Sequence, residues 1–289
     1  MKLEMTAILA SILFVQPAWA EPEKAETKWS VSLSGGTTTL ENRGDQPFVS
    51  IGVTRNLKNG YIRLSATHVD TRDGQGLLGS IPAKTNQLTL AGGTSFGSVS
   101  LDGYVAFGKR TFGAEAVQRA TGQTINITSN GKTSAIGASF TYDVPLGHHG
   151  FFSPFAALDY SRVDTARAIV TPVRGLITQK ENQDGVTLTL GGTAQFLFGS
   201  QDAHSIGAYG AFVTSSNTTA YNRGTSPVAA ARLLGALDVP GGKDSWAEYG
   251  ATASFRVAKP LRLDLSVIRT AGFSNAQSTS GSVGLRFSF

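Results

Sequence analysis

Alternation with a period of two recurs along most of the chain, and it constrains the fold more than any motif does. KWSVSLS places Trp29, Val31 and Leu33 on one side and Ser30, Ser32 and Ser34 on the other. FVSIGVT sets Val49, Ile51 and Val53 against Ser50, Gly52 and Thr54; GYIRLSATH sets Ile62, Leu64 and Ala66 against Arg63, Ser65 and Thr67. Successive side chains of a strand point to opposite faces, so each segment is a strand with one apolar face and one small or polar face. Twelve such segments follow one another, and the last, SGSVGLRFSF, carries Val283, Leu285, Phe287 and Phe289 at every second place. As the closing strand of a soluble sandwich it would leave an aromatic in water at a fraying end. With lipid on its apolar side, the pattern is satisfied.

The connections alternate as well. Short turns (LKNG, SFGS, PLGHHG, GSQDA and AKP) interleave with longer polar segments around ENRGDQP, at about 70–84 and 109–132, up to about Asp184, and at 214–244. Short turns at one end and long loops at the other are the signature of an outer-membrane barrel, and an even strand number leaves both termini on the short-turn, periplasmic side. The expected fold class is therefore all-β: a single 12-stranded antiparallel transmembrane β-barrel with short periplasmic turns and long extracellular loops. Asn59-Gly60 in LKNG is a tight-hairpin signal. Aromatics are expected in two belts at the membrane boundaries. Trp29, Phe96, Phe152, Phe196, Phe198, Phe255 and Phe289 fall at short-turn ends, and Phe48, Phe107, Tyr160 and Phe212 at long-loop ends.

The opening MKLEMTAILASILFVQPAWA has Lys2 in a short n-region, an apolar stretch from Thr6 to Val15 and an Ala18-Trp19-Ala20 cleavage pattern. That stretch is too short to span a bilayer as a helix. Residues 1–20 are expected to be a cleaved signal peptide, 21–28 a short periplasmic tail and 29–289 the barrel. Charged residues make up 16% of the chain, Gly is abundant and mean hydropathy is −0.04, as suits strands with one lipid face and one polar face. The chain has no cysteine, so it is not a small disulfide-stapled scaffold. The net charge of +5 is scattered along the chain and leaves no nucleic-acid footprint. Basic loop residues suit anionic headgroups, so outer-membrane lipids and lipopolysaccharide are expected partners.

SAIGASFTYDVPLGHHGFFSPFAALDYSRVDTA and YGATASFRVAKPLRLDLSVIRTAGFSNAQSTSGSVGLRFSF resemble the second half of autotransporter β-domains. In that family a strand bearing Pro, an aromatic and a Tyr-Ser pair follows a short turn, and the barrel ends on a Gly-rich strand closing on Phe. The resemblance implies a twelve-stranded barrel in the outer membrane of a Gram-negative bacterium. It also implies that Phe287 and Phe289 belong to the signal read by the barrel-assembly machinery. The family carries a passenger between signal peptide and barrel, whereas only EPEKAETK separates the two here. Self-secretion is therefore not expected.

Function then rests on the lumen and the loops. The inward parity carries Arg63, Asp102, Asp143, Asp159, Glu248, Arg256, Arg262, Asp264 and Arg286. Such charges either line a water-filled path or pair across the lumen and close it. Their mixed signs argue against strong ion selectivity. A narrow channel for small hydrophilic solutes is the leading expectation. SPVAAARLLGALDVPGG, in the longest loop, reads as a short helix over or inside the mouth, or equally as an irregular apolar segment on the rim. Arg43-Gly44-Asp45 in the first long-side loop is an integrin-binding tripeptide in some adhesins, so a surface interaction protein is the alternative. An outer-membrane lipid hydrolase is the third reading, since His68 takes the lipid-facing parity at a long-loop end; THVDTRDG, however, supplies no serine for it to activate. No metal spacing such as HExxH appears, and no catalytic residue, cofactor or metal is expected.

Overall fold

The computed structural model describes residues 29–41, 45–71, 82–113, 117–118, 124–125, 129–171, 175–220, 242–274 and 277–289. The expected signal peptide and tail lie outside these, as do Arg43, Gly44 and residues 221–241 of the longest loop.

Twelve long strands form the wall: β1 Trp29–Leu40, β2 Gln46–Leu57, β3 Gly60–Thr71, β4 Ala83–Phe96, β5 Val99–Phe112, β6 Ser129–Tyr142, β7 Gly150–Thr171, β8 Gly175–Phe198, β9 His204–Ser215, β10 Asp244–Ala258, β11 Leu261–Ala271 and β12 Ser278–Ser288. Each pairs antiparallel with its neighbours in sequence, and β12 pairs with β1, so the sheet has no free edge around the ring. A two-residue bridge, Val144–Pro145, joins the sheet in the β6–β7 turn. Two other short pieces, Val117–Gln118 and Thr124–Ile125, pair with each other in the β5–β6 loop. The seam is closed to the last residue: Trp29 N–H donates to Phe289 O at 3.1 Å, and Phe289 N–H to Trp29 O at 2.9 Å.

Register fixes the tilt. A path of directly opposed residues leaves β7 at Gly150 and passes Phe196, Ile206, Ala253, Leu265, Val283, Gly35, Val49, His68, Asn86, Lys109 and Lys132. It re-enters β7 one step beyond the Val163–Thr133 pair. The offset of about 14 residues is the shear of the barrel, and with twelve strands it corresponds to a tilt of about 40°.

The faces are inverted relative to a soluble protein. Ile51, Ile62, Leu64, Leu88, Leu90, Ile136, Leu158, Leu190 and Ile206 are exposed on the outside, while Ser34, Thr38, Ser50, Ser100, Thr187, Ser254 and Thr270 are buried inside. An apolar exterior and a polar interior leave lipid as the medium that matches the outer surface. Inward hydroxyls are satisfied across strands, as in Thr67 to Ser50 at 2.9 Å and Ser266 with Ser282 at 2.7 Å. Among the described residues no helix is long and apolar enough to cross a membrane.

Two expectations are corrected. The segment after Val163, up to about Asp184, is not a loop: β7 and β8 are 22 and 24 residues long and stay paired as far as Thr171 and Gly175, forming a long hairpin. Phe48 is not a belt residue; it is buried on the inner side and packs with Val69. LKNG forms the expected tight hairpin, with Lys58 and Asn59 at the turn and Gly60, paired with Leu57, at an ordinary φ. Its lack of a side chain matters because the Gly93 carbonyl lies where a Cβ would sit. Phe96, Phe107, Phe152, Tyr160, Phe196, Phe212 and Phe289 are exposed on the outer face. Phe198 and Phe255 stand edge-on beside His204 at the short-turn end.

Candidate functional site

The site is the inner surface of the barrel. On β5, just after β6 and on β7 stand three inward carboxylates, each held by a hydroxyl, with Arg110 further along β5. Tyr61 Oη donates to Asp102 Oδ1 at 2.7 Å, Tyr104 Oη to Asp159 Oδ1 at 2.7 Å, and Ser153 Oγ to Asp143 Oδ1. Gly93 makes the first of these contacts possible, because a Cβ there would strike Asp102 and the Tyr61 ring. On β10 Glu248 accepts from Tyr209 Oη and Trp246 Nε1, both at 3.1 Å. Phe155 stacks on Tyr209 with centroids 6.0 Å apart and so steadies that donor.

β10 to β12 also carry three inward arginines, beside Glu248 and Asp264. Arg256 stands directly opposite Arg262 in the β10–β11 register, and Arg262 directly opposite Arg286 in the β11–β12 register. Arg286 in turn faces Ser32 on β1, and Ser32 faces Gly52 on β2. Arg63, from β3, lies over Gly52 and donates from Nη2 to Ser32 Oγ at 3.4 Å. One rung of the barrel near the short-turn end thus carries four guanidinium groups. Like charges directly opposed across strands are destabilising. Asp264, fully buried beneath the row, offsets part of this: it accepts from Ser254 Oγ and lies 3.5 Å from Arg286 Nη2. Arg262 also donates from Nε to Ser254 Oγ at 3.3 Å and from Nη2 to Ala203 O at 3.1 Å.

Solvent access changes along the axis. Tyr61, Asp102, Gln195, Arg256 and Arg262, in the short-turn half, are partly exposed to the lumen, and the Arg286 side chain is 12% exposed. In the long-loop half the large inward side chains, Leu40, Gln46, Phe48, Arg110, Phe112, Trp246 and Glu248, are buried. Leu40, Val213, Trp246 and Phe273 form an apolar cluster there, and Ala83, Phe112 and Ala166 form another. The chain after β9 adds to the constriction. Thr218–Ala220 is a fully buried turn whose Ala220 carbonyl accepts from Ser161 Oγ, an inward residue of β7. Asn217 bonds to Gln183 Oε1 and Asp184 O, both at 3.0 Å, above Gly185.

All nine expected lumen charges face inward. Arg110 joins them and was missed, since it lies within a stretch read as loop; its even parity with Asp102 and Tyr104 is the signal that finds it. Its guanidinium sits 5.3 Å from the Phe112 ring centre. Of the tripeptide, Asp45 is described and accepts from Thr39 Oγ1 at 2.8 Å. Of the long apolar loop, only the flanks 214–220 and 242–244 are described. His68 is on the outer face, its Nδ1 2.8 Å from Asn86 Oδ1, a pairing that supplies no nucleophile. Phe287 and Phe289 lie on the outer face beside the seam, ring centres 5.9 Å apart. Among the described residues no His, Cys, Asp and Glu cluster is placed to hold a metal ion.

Comparison with known proteins agrees with this architecture. The translocator domain of the autotransporter NalP from Neisseria meningitidis superposes with a TM-score of 0.65 at 15% identity, covering 92% of this chain and 90% of that one. The β-domain of the Bordetella autotransporter BrkA gives 0.60 at 14% identity, covering 91% and 99%. An outer membrane channel from Pseudomonas putida gives 0.55 at 9% identity, covering 91% and 96%. At these identities the likeness is one of fold. No curated protein sequence matches the chain. The sequence profile of the autotransporter beta-domain matches residues 34–267, more than half of the chain. With its lipid-matched exterior, twelve-strand closure and this profile match, the chain belongs to the autotransporter β-domain family of Gram-negative outer-membrane barrels.

Proposed function

We propose that the barrel is a narrow channel for small hydrophilic solutes. The observation that carries this reading is the polar, charged inner surface, whose groups in the short-turn half, Tyr61, Asp102, Gln195, Arg256 and Arg262, are partly accessible to solvent. The inward turn at Thr218–Ala220 and the apolar clusters make the outer mouth the narrow point. In this reading Phe287 and Phe289 are the segment handed to the barrel-assembly machinery, and the exterior contacts outer-membrane lipid and lipopolysaccharide.

Single-channel recording of the refolded protein in a planar bilayer tests the proposal, after heat-modifiable gel mobility has established folding. Steady openings that change on Glu248→Gln or Arg262→Ala are expected. A folded barrel that stays silent overturns the channel.

The long β7–β8 hairpin favours a second reading, surface interaction, because its strands continue well past the outer aromatics. Replacing the segment beyond Asp164 and Lys180 with a short turn would abolish cell binding on that reading and leave conductance unchanged.

A further inference from the structure

We propose that Lys109 and Lys132, on the outer face at the long-loop rim, bind a phosphate of the outer-leaflet glycolipid, lipopolysaccharide, whose acyl chains lie along the apolar wall below them. The inference rests on the outer-membrane placement of the barrel and is independent of the channel. Both lysines take the outward parity of their strands, β5 and β6, and both are exposed. Phe107, 65% exposed, precedes Lys109 by one step on the same face, and Ile136 and Ser134 precede Lys132. Apolar side chains and an aromatic, then a cation, is the order in which an acyl layer, its boundary and an anionic headgroup are met on leaving the membrane.

Charge accounting on this rim singles out the pair. Asp70 stands opposite Lys84, and Asp184 opposite Arg162. Asp164, beside Lys132, accepts from the Lys132 N–H, while its ion pair, at 3.1 Å, is with Lys180. Those carboxylates balance Lys84, Arg162 and Lys180. Lys109 stands directly opposite Lys132 on one side and the neutral Asn86 on the other. Among the described residues neither lysine forms an ion pair. Opposed like charges weaken a sheet, and a shared phosphate between the two ammonium groups removes that cost. Flexible stems let both ammonium groups reach up to a headgroup while their methylenes stay on the apolar wall. The far side of the barrel has no such pair among its described residues. There the outward positions near the long-loop ends are Thr39, Thr214, Ser245 and Thr279, with Arg269 bound to Glu41 at 2.9 Å and Lys243 next to Asp244.

The test titrates the full refolded chain in detergent micelles with bisphosphorylated lipid A and reads the bound fraction by native mass spectrometry. K109Q/K132Q is expected to weaken binding about ten-fold or more, with heat-modifiable mobility retained. K109R/K132R keeps both charges and should bind within about two-fold of the parent, as should K243Q on the far side. Dephosphorylated lipid A should bind the parent no better than bisphosphorylated lipid A binds K109Q/K132Q. Binding by K109Q/K132Q within about two-fold of the parent, or an equal loss in K243Q, overturns the site. Displacement of lipid A by an equal concentration of inorganic phosphate would make the pair a site for free phosphate and overturn the lipid assignment. Folding into phosphatidylcholine vesicles separates this inference from the placement it rests on. A chain that fails to insert there contradicts the membrane placement, whereas an inserted barrel that ignores lipid A contradicts the site alone. Bilayer conductance bears on neither.

Discussion

Tyr104 on β5 reaches across β6 to donate a 2.7 Å hydrogen bond to Asp159 on β7, and both residues are buried. The bond ties together two strands that do not touch through their backbones. Inside a barrel a carboxylate deprived of such a donor keeps its desolvation cost. Tyr104→Phe is therefore expected to destabilise the fold by about 1–3 kcal/mol, read as a lower midpoint in urea unfolding from detergent. An unchanged midpoint would mean that other donors satisfy Asp159 fully.

The outer constriction has a steric key in Gly185. A Cβ at that position would lie 3.0 Å from both Cβ and O of Asn217, a contact tight enough that Asn217 would have to give way by a few tenths of an ångström. Gly185→Leu should push the 217–220 turn away from β8, raising single-channel conductance and speeding proteolysis of that segment. Conductance and proteolysis equal to the parent's would show that the turn does not limit the mouth.

The β7–β8 hairpin is strapped outside the membrane by Asp164. Burial pushes its carboxyl up from the ordinary value of 3.8, but bonds from Lys180, Asn182 and the Lys132 N–H, with the Lys180 charge, outweigh burial and hold it below that value. The Lys180 ion pair spans 3.1 Å. A depressed value means that the strap is complete above pH 3.8 and is lost as pH falls through the lower, folded value. Protection of the hairpin amides, measured against their intrinsic exchange at each pH, should therefore be flat down to about pH 4 and fall below it. In Asp164→Asn the acid step should vanish.

Orientation of the wall is testable at Leu64 and Ser65, adjacent residues on opposite faces. Leu64 is 50% exposed on the outside and Ser65 is buried inside. Leu64→Arg is expected to cost about 2–4 kcal/mol in lipid, as a charge on the lipid face near the middle of the bilayer does. Ser65→Ala should cost far less. Equal penalties would contradict the assignment of faces.

Much of the barrel was legible because lipid enforces alternation: Val49, Ile51 and Val53 must all face out, and a one-residue slip would turn them inward. Where lipid ends, the signal ends with it. Gln179 to Asp184 is a run of polar residues with no apolar face, so a strand there looks like a loop; pairing with β7, not patterning, makes it a strand. Phe48 misled for a related reason. At the outer end the interior is plugged by apolar groups, so an aromatic next to the membrane boundary there can belong to the inside. The inward charges were legible from parity alone. Which of them stand opposite one another, as Arg256 does to Arg262 and Arg262 to Arg286, was not, because that follows from strand stagger set around the whole ring.

The seam between Trp29 and Phe289 also bears on how fast such a chain can mature. Every other strand pair joins sequence neighbours, but this one joins the two ends of the barrel, the most distant contact available. Until it forms, β1 and β12 each present a row of unpaired N–H and C=O groups, which invite pairing with other chains. Non-local pairing of this kind is slow because chain entropy is lost before any contact compensates for it. The last step of closure is thus a race between the proper partner and a wrong one. A catalyst that shields the edge of β12 until β1 arrives would win that race without adding anything to the stability of the finished barrel.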